Sequence, residues 1–199
     1  ISYSGGCSSS DNTTALADDN ITITFNELAD NTYDCSVIVT DNASNQGTIS
    51  VEFIIDTTAP TLDNVTDVST PTDNNTPNYT FRSSEAGTIT YGGSCGSLSS
   101  STVTDNTSKT ITLTQPDNST PFSDGTYSNC TVRVTDPAGN VSDALDVTPF
   151  TVAVPPLLEE VTAVPTPTDN NTPSYTFSSN EAGTISYGGA CGSSTSSAV

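Results

Sequence analysis

Apolar side chains recur at every second position in short runs: Ile21, Ile23, Phe25; Val37, Val39; Val51, Phe53, Ile55; Ile111, Leu113; Val132, Val134. A period of two is what a strand shows when it buries one face and wets the other. Nowhere do apolar residues fall at i, i+3, i+4 and i+7 over a helix's length, and Thr, Val, Asn, Gly and Pro favour strands and turns. The pattern predicts an all-β chain with almost no helix.

Turn residues divide residues 56–154 into seven runs: Leu62–Val68, Asn78–Ser83, Thr88–Tyr91, a weak run at Ser101–Thr104, Thr110–Thr114, Thr126–Thr135 and Leu145–Val154. Seven short strands at this spacing predict a Greek-key sandwich of two sheets, in which the third and sixth strands are antiparallel neighbours. Tyr33 and Tyr127 stand where the sixth strand begins, a place where a tyrosine hydroxyl bonds back to the preceding loop in such sandwiches.

The chain also matches itself. PTDNNTPNYTFRSSEAGTITYGGSCG at 71–96 returns as PTDNNTPSYTFSSNEAGTISYGGACG at 167–192, an offset of 96, and Tyr3 answers Tyr91 at an offset of 88. NTYDCSVIVTDNASN at 31–45 answers GTYSNCTVRVTDPAGN at 125–140. A repeat this long suits an independent domain, not a solenoid unit. The expected organisation is the later part of one domain at 1–55, a whole domain at 56–154 and the opening part of a third at 155–199. Two arrangements account for the partial repeats. Either the sequence is a window on a longer polypeptide, or half domains of neighbouring copies complete one another head to tail, a contact that propagates into a filament.

Five cysteines follow the repeat. The first copy holds Cys7 and Cys35, the second Cys95 and Cys130, the third Cys191. Cys95 lies just past the third strand and Cys130 near the start of the sixth, at one end of one sheet. Bonds Cys7–Cys35 and Cys95–Cys130 are expected, with the partner of Cys191 outside the sequence. Loops of this length stabilise a domain by about 3–4 kcal/mol, and disulfides imply an oxidising compartment. Metal binding by these cysteines lacks the C-x-x-C spacing and the histidines it needs.

Composition narrows the function. Only 32% of residues are hydrophobic, and 23 acidic residues stand against 3 basic ones, for a net charge of −20. Arg82, Lys109 and Arg133 are the only cations. They make no basic patch for nucleic acid or anionic lipid, and no apolar run is long enough to cross a membrane as a helix. There is no histidine, the commonest proton-transfer residue near neutral pH. An enzyme is not expected.

Three motifs then carry a resemblance: Asp56-Thr57-Thr58-Ala59-Pro60 between domains, Gly125-Thr126-Tyr127 leading into a strand, and Val134-Thr135-Asp136-Pro137-Ala138-Gly139-Asn140 at the following turn. In this order and spacing the chain resembles the bacterial immunoglobulin-like repeats of large surface adhesins and extracellular filament proteins. The paired cysteines, and Pro155-Pro156-Leu157-Leu158-Glu159 in the second linker, depart from the commonest forms. The resemblance implies tandem immunoglobulin-like Greek-key sandwiches that project a binding tip or build a fibre. Its partners are neighbouring copies of the same repeat.

In such a sandwich the linker, the loop between strands two and three and the loop between strands six and seven lie at one end. Asp56, Glu85, Asp136 and Asn140 thus converge at the junction with the preceding domain and suit Ca²⁺, a hard cation that takes oxygen ligands; similar repeats use such ions to stiffen the joint. The plainer reading makes Asp136 and Asn140 turn-formers. No other cofactor is expected. Asn-x-Ser/Thr triplets, including those at Asn12, Asn64, Asn78, Asn106 and Asn118, are candidate glycosylation sites, although a chain rich in Asn, Ser and Thr produces such triplets without modification.

Two functions compete: a structural stalk or filament, in which repetition supplies length, and an adhesion module whose loops bind carbohydrate or protein. Near-identity of the loops in copies two and three favours the first, because dedicated binding sites diverge and spacers need not. A hydrolase drawing an acid pair from Glu85, Asp124 or Asp136 is the weakest alternative, since carboxylates occur wherever turns do.

Overall fold

A computed structural model describes residues 1–11 and 14–193. Asn12 and positions 194–199 lie outside the described residues. Among those described there is no helix, and the chain forms antiparallel sheets.

The first segment is one sheet of three strands, β1 (Ser2–Ser4), β2 (Asn31–Thr40) and β3 (Gln46–Ile55), in the order β1-β2-β3. β2 and β3 run as an unbroken ladder from Asn31↔Ile55 to Thr40↔Gln46. The run Ile21, Ile23, Phe25 is not a strand, contrary to its alternation. Its counterpart in the second copy is Ile111 and Leu113, whose strand pairs with the one at Asn78–Ser83. Residues 1–55 hold no counterpart of that partner, and a strand without a ladder leaves its backbone groups to water. Phe25 is still held by ring contacts with Phe53 and Tyr3.

The second segment contains β4 (Leu62–Thr66), β5 (Asn78–Ser83), β6 (Gly87–Gly92), β7 (Gly96–Ser97), β8 (Thr102–Val103), β9 (Ser108–Thr114), β10 (Gly125–Tyr127), β11 (Thr131–Thr135), β12 (Leu145–Asp146) and β13 (Phe150–Val152). They form a sheet β4-β5-β9-β7, a sheet β12-β11-β6-β8 and a pair β10-β13. Tyr79, Phe81, Ile111 and Leu113 from the first sheet and Ile89, Val132 and Val134 from the second share one buried core. Each side chain is there because its strand alternates: β11 reads Thr131, Val132, Arg133, Val134, Thr135, and only the two valines are fully buried.

Two runs expected as single strands are split. Thr126–Thr135 divides into β10 and β11 because Asn129 turns aside to meet the cysteine loop, where its side-chain oxygen accepts the Ser94 N–H at 3.1 Å. Leu145–Val154 divides at Pro149, which has no N–H to give a ladder. The corresponding strand of the first segment, β3, has no proline and stays whole. The two-residue β7 is not foreseen by any apolar pattern, since Gly96 and Ser97 carry none.

The third segment pairs β14 (Leu158–Thr162) with β15 (Thr176–Ser179). Leu158 faces Ser179 as Leu62 faces Ser83, and the bulge at Glu160/Thr162 repeats the bulge at Asn64/Thr66. Near-identical sequence here produces identical register. The burial differs: Tyr79 is fully buried, whereas Tyr175 is 54% exposed.

Cys7 is bonded to Cys35 and Cys95 to Cys130, with Cα separations of 5.7 and 5.1 Å, and Cys191 is an exposed free thiol. The Cys95–Cys130 bond closes the end of the β6–β11 ladder next to the pair Gly92↔Thr131. Disulfides form and persist in oxidising compartments, so the two bonds point away from the cytoplasm.

Candidate functional site

The turn after β11 builds the site. Asp136 accepts the Gly139 and Asn140 N–H groups on Oδ1 at 2.7 and 2.8 Å and the Asn140 side-chain amide on Oδ2 at 2.8 Å. Gly139 adopts φ +98°, open to glycine at little cost. The same turn recurs in the first segment, where Asp41 Oδ1 accepts the Ala43 and Asn45 N–H groups and Oδ2 the Asn45 amide. The plain reading of Asp136 and Asn140 as turn-formers therefore describes their local role.

The fold adds neighbours that the first segment's turn does not have. Asp56, Glu85 and Asp136 each offer a carboxylate oxygen, and these atoms all lie within 4.8 Å of one another. Asp56 and Glu85 are partly buried and Asp136 is buried. Asn140 takes another place: its amide donates to the Asp56 carbonyl at 3.0 Å as well as to Asp136, so it presents hydrogens to the cluster and braces it.

The electrostatics of the two inner carboxyls oppose each other. Glu85 is pushed above the ordinary carboxyl range, first by burial and then by the charges of Asp56, Asp136, Asp105 and Asp30. For Asp136, burial is the largest single influence and pushes upward, but the hydrogen bonds from Asn140, Gly139 and Ala138 together outweigh it and leave the group below its usual value. No protein-family model and no curated protein matches the chain.

The donor set fits a hard divalent cation. Oxygens bound to one Ca²⁺ at about 2.4 Å lie no more than about 4.8 Å apart, and three carboxylates that repel one another lose that repulsion when a cation sits among them. Asp56, Glu85 and Asp136 are the residues that would hold it.

Residues 56–58 are held from both sides. Asp30 accepts the Thr57 N–H at 3.0 Å and the Thr57 and Thr58 hydroxyls at 2.8 and 2.7 Å, bonds that hold its carboxyl below the usual range, the Thr58 hydroxyl foremost. Asn140 grips the same stretch through the Asp56 carbonyl. After the second segment Asp124 repeats the first half of the device by accepting the Val154 N–H at 2.9 Å. Sequence reasoning missed Asp30 and gave Asp124 no part in a joint, although one signal marks both: each immediately precedes the Asn31-Thr32-Tyr33 or Gly125-Thr126-Tyr127 motif. The structural position of Asp56 is filled after the second segment by Ala153, which brings no carboxylate.

The two motif tyrosines bond backward. Tyr33 Oη donates to the Ala29 carbonyl and Tyr127 Oη to the Ser123 carbonyl, both at 2.9 Å. The candidate glycosylation residues Asn64, Asn78, Asn106 and Asn118 are all exposed. Their side chains also serve the fold: Asn64 donates to Asp67 and Asn106 to Asp105, while Asn78 accepts from Thr112 and Asn118 from the Ser97 N–H.

Proposed function

We propose that this chain is a repeat segment of an extracellular stalk or filament, in which disulfide-bonded immunoglobulin-like domains in series supply length and Ca²⁺ at the first joint supplies stiffness. The observation that carries the reading is the clamped linker: Asp30 on one side and Asn140 on the other fix the five residues between two repeats, and the carboxylates of Asp56, Glu85 and Asp136 meet at that point. A spacer needs a stiff joint, whereas an enzyme or a single binding module has no use for one.

The strand order supports the immunoglobulin-like assignment. Within residues 56–154, the first, second and fifth strands share one sheet with β7, and the seventh, sixth, third and fourth share the other; the sets first-second-fifth and seventh-sixth-third are those of immunoglobulin-like sandwiches. Thr72 bridges Val152 in parallel, which brings the end of the first strand's segment across to the last strand. Head-to-tail neighbours of the same repeat are the partners this reading calls for.

Electron microscopy of the purified protein tests it. Thin, straight particles in Ca²⁺ that bend or shorten in a chelator are expected. Compact particles, indifferent to the chelator, overturn the reading.

A further inference from the structure

The second segment carries a loop that the first has only in shorter form. Leu113 to Tyr127 spans 14 positions (127 − 113), whereas Ile23 to Tyr33, the same stretch of the first copy, spans 10 (33 − 23), so the loop after β9 is longer by four residues. Four extra residues in a loop add nothing to the length of a spacer. This loop is bonded within itself: Asp117 Oδ1 accepts the Ser119 and Thr120 N–H groups at 3.0 and 2.8 Å, the Gln115 N–H donates to the Thr120 carbonyl at 2.9 Å, and the Gln115 side-chain amide donates to the Pro121 carbonyl at 2.8 Å. It is also seated on β7. Asn118 Oδ1 accepts the Ser97 N–H at 3.0 Å, and a Cβ on Gly96 would meet that oxygen and the Gln115 carbonyl oxygen at 2.5 Å.

Between this loop, β6 and the stretch after β7 lies a cavity of about 470 Å³, a size usual for small-molecule sites. Pro116 and Asn118 of the loop line it together with Tyr91, Ser97, Ser99 and Ser101, and no charged side chain is among its described lining residues. The Tyr91 hydroxyl is buried and has no hydrogen-bond partner. Ser97, the side chain that acts on it, is engaged elsewhere: its Oγ donates to the Thr112 carbonyl at 2.7 Å and accepts the Ser99 N–H at 3.0 Å. A buried hydroxyl left unbonded is a cost to the fold that a ligand oxygen removes. The hydroxyl of Tyr3, the counterpart of Tyr91, is unpartnered as well, so the longer loop and not the tyrosine alone distinguishes the second copy.

We propose that this cavity binds a neutral hexopyranose unit, as a free sugar or at the end of a glycan chain. The ligand is neutral because the lining offers no cation to an anion and no carboxylate to a cation, and a net charge of −20 keeps anions away. It carries several hydroxyls because the lining presents hydroxyls and an amide, groups that both donate and accept. Asn118 gives its Oδ1 to Ser97, which leaves its NH₂ for a ligand oxygen. Ile89 and Pro116 supply the apolar surface on which the C–H face of a sugar ring rests. The site is additional to the stalk role and uses a bonded, preformed loop, which lowers the ordering cost of binding.

Amide NMR of the whole chain, titrated in turn with glucose, galactose, mannose and N-acetylglucosamine, tests it. Saturable shifts with at least one of these sugars are expected, gathered at Ser97, Ser99, Ser101 and Asn118 and absent from residues 1–55. The same sugar at the end of a trisaccharide should bind as well or better if a glycan is the source, and worse if the free sugar is. Ser101→Trp, at an exposed position on the rim, should abolish the shifts and leave the melting temperature unchanged. Tyr91→Phe should weaken binding about tenfold and melt no lower than the parent, since the hydroxyl it removes has no bond to lose. No saturable shift with any of the four sugars, shifts scattered over all three segments, or a loss of stability in Tyr91→Phe overturns the proposal. None of these residues belongs to the cluster of Asp56, Glu85 and Asp136, so a silent cavity leaves the stalk reading standing.

Discussion

Glu85 and Asp136 sit in one cluster yet titrate in opposite directions, and each direction has a stability consequence. Glu85 is raised from 4.5, so the folded chain holds its proton more tightly than the unfolded chain. Its burden on the fold is absent below the unfolded value and grows as pH rises through the raised one. Asp136 is lowered from 3.8, so the stability it contributes is present above that value and lost as pH falls through its folded one. In an acid titration followed by carboxyl-carbon NMR in the absence of divalent ions, Glu85 should protonate well before Asp136. Coincident curves would dissolve the cluster. Glu85→Gln should melt higher than the parent by a few degrees at neutral pH in a chelator, whereas added Ca²⁺ should raise the melting temperature of the parent and not that of the variant. Tyr127→Phe removes one bond to the Ser123 carbonyl and should cost about 0.5–1.5 kcal/mol by urea titration. The sequence announced Asp56, Glu85 and Asp136 because a sandwich brings the linker and two specific loops to one end. It did not announce that Asn140 turns its NH₂ inward, a choice made by the Asp56 carbonyl, a backbone atom of the linker that no residue pattern encodes.

At the scale of strands and bonds, alternation was a faithful guide where a partner strand exists and failed where none does. Asn78–Ser83 is read correctly end to end because its apolar residues face Ile111 and Leu113 across one core. Ile21, Ile23 and Phe25 carry the same period and form no strand, since periodicity reports which face is apolar and not whether a ladder stands beside it. The cysteine pairing was legible for a geometric reason: the third and sixth strands of a sandwich are neighbours, and both bonds close loops beside that ladder. Replacing Cys95 and Cys130 by Ala should lower the stability of the second segment by about 3–4 kcal/mol in urea. Phe81→Ala should cost about 3–5 kcal/mol there, as expected for a large side chain with no exposed surface. Phe177→Ala, the same substitution at a side chain that is only partly buried, should cost much less. Equal effects at Phe81 and Phe177 would mean that the third segment already has a core of its own.

For the whole molecule, the claim is that repeated, clamped domains turn chain length into reach. On the proposed reading a net charge of −20 would help in this, because copies that repel one another would not fold back on themselves, and cations bound at Asp56, Glu85 and Asp136 would relieve the repulsion there alone. Small-angle scattering of the chain and of its tandem duplicate in Ca²⁺ tests the claim most directly. The account predicts a maximum dimension about twice as long for the duplicate and a shorter one when the ion is chelated. Growth of only about 1.3-fold, the scaling of compact proteins with length, would contradict it.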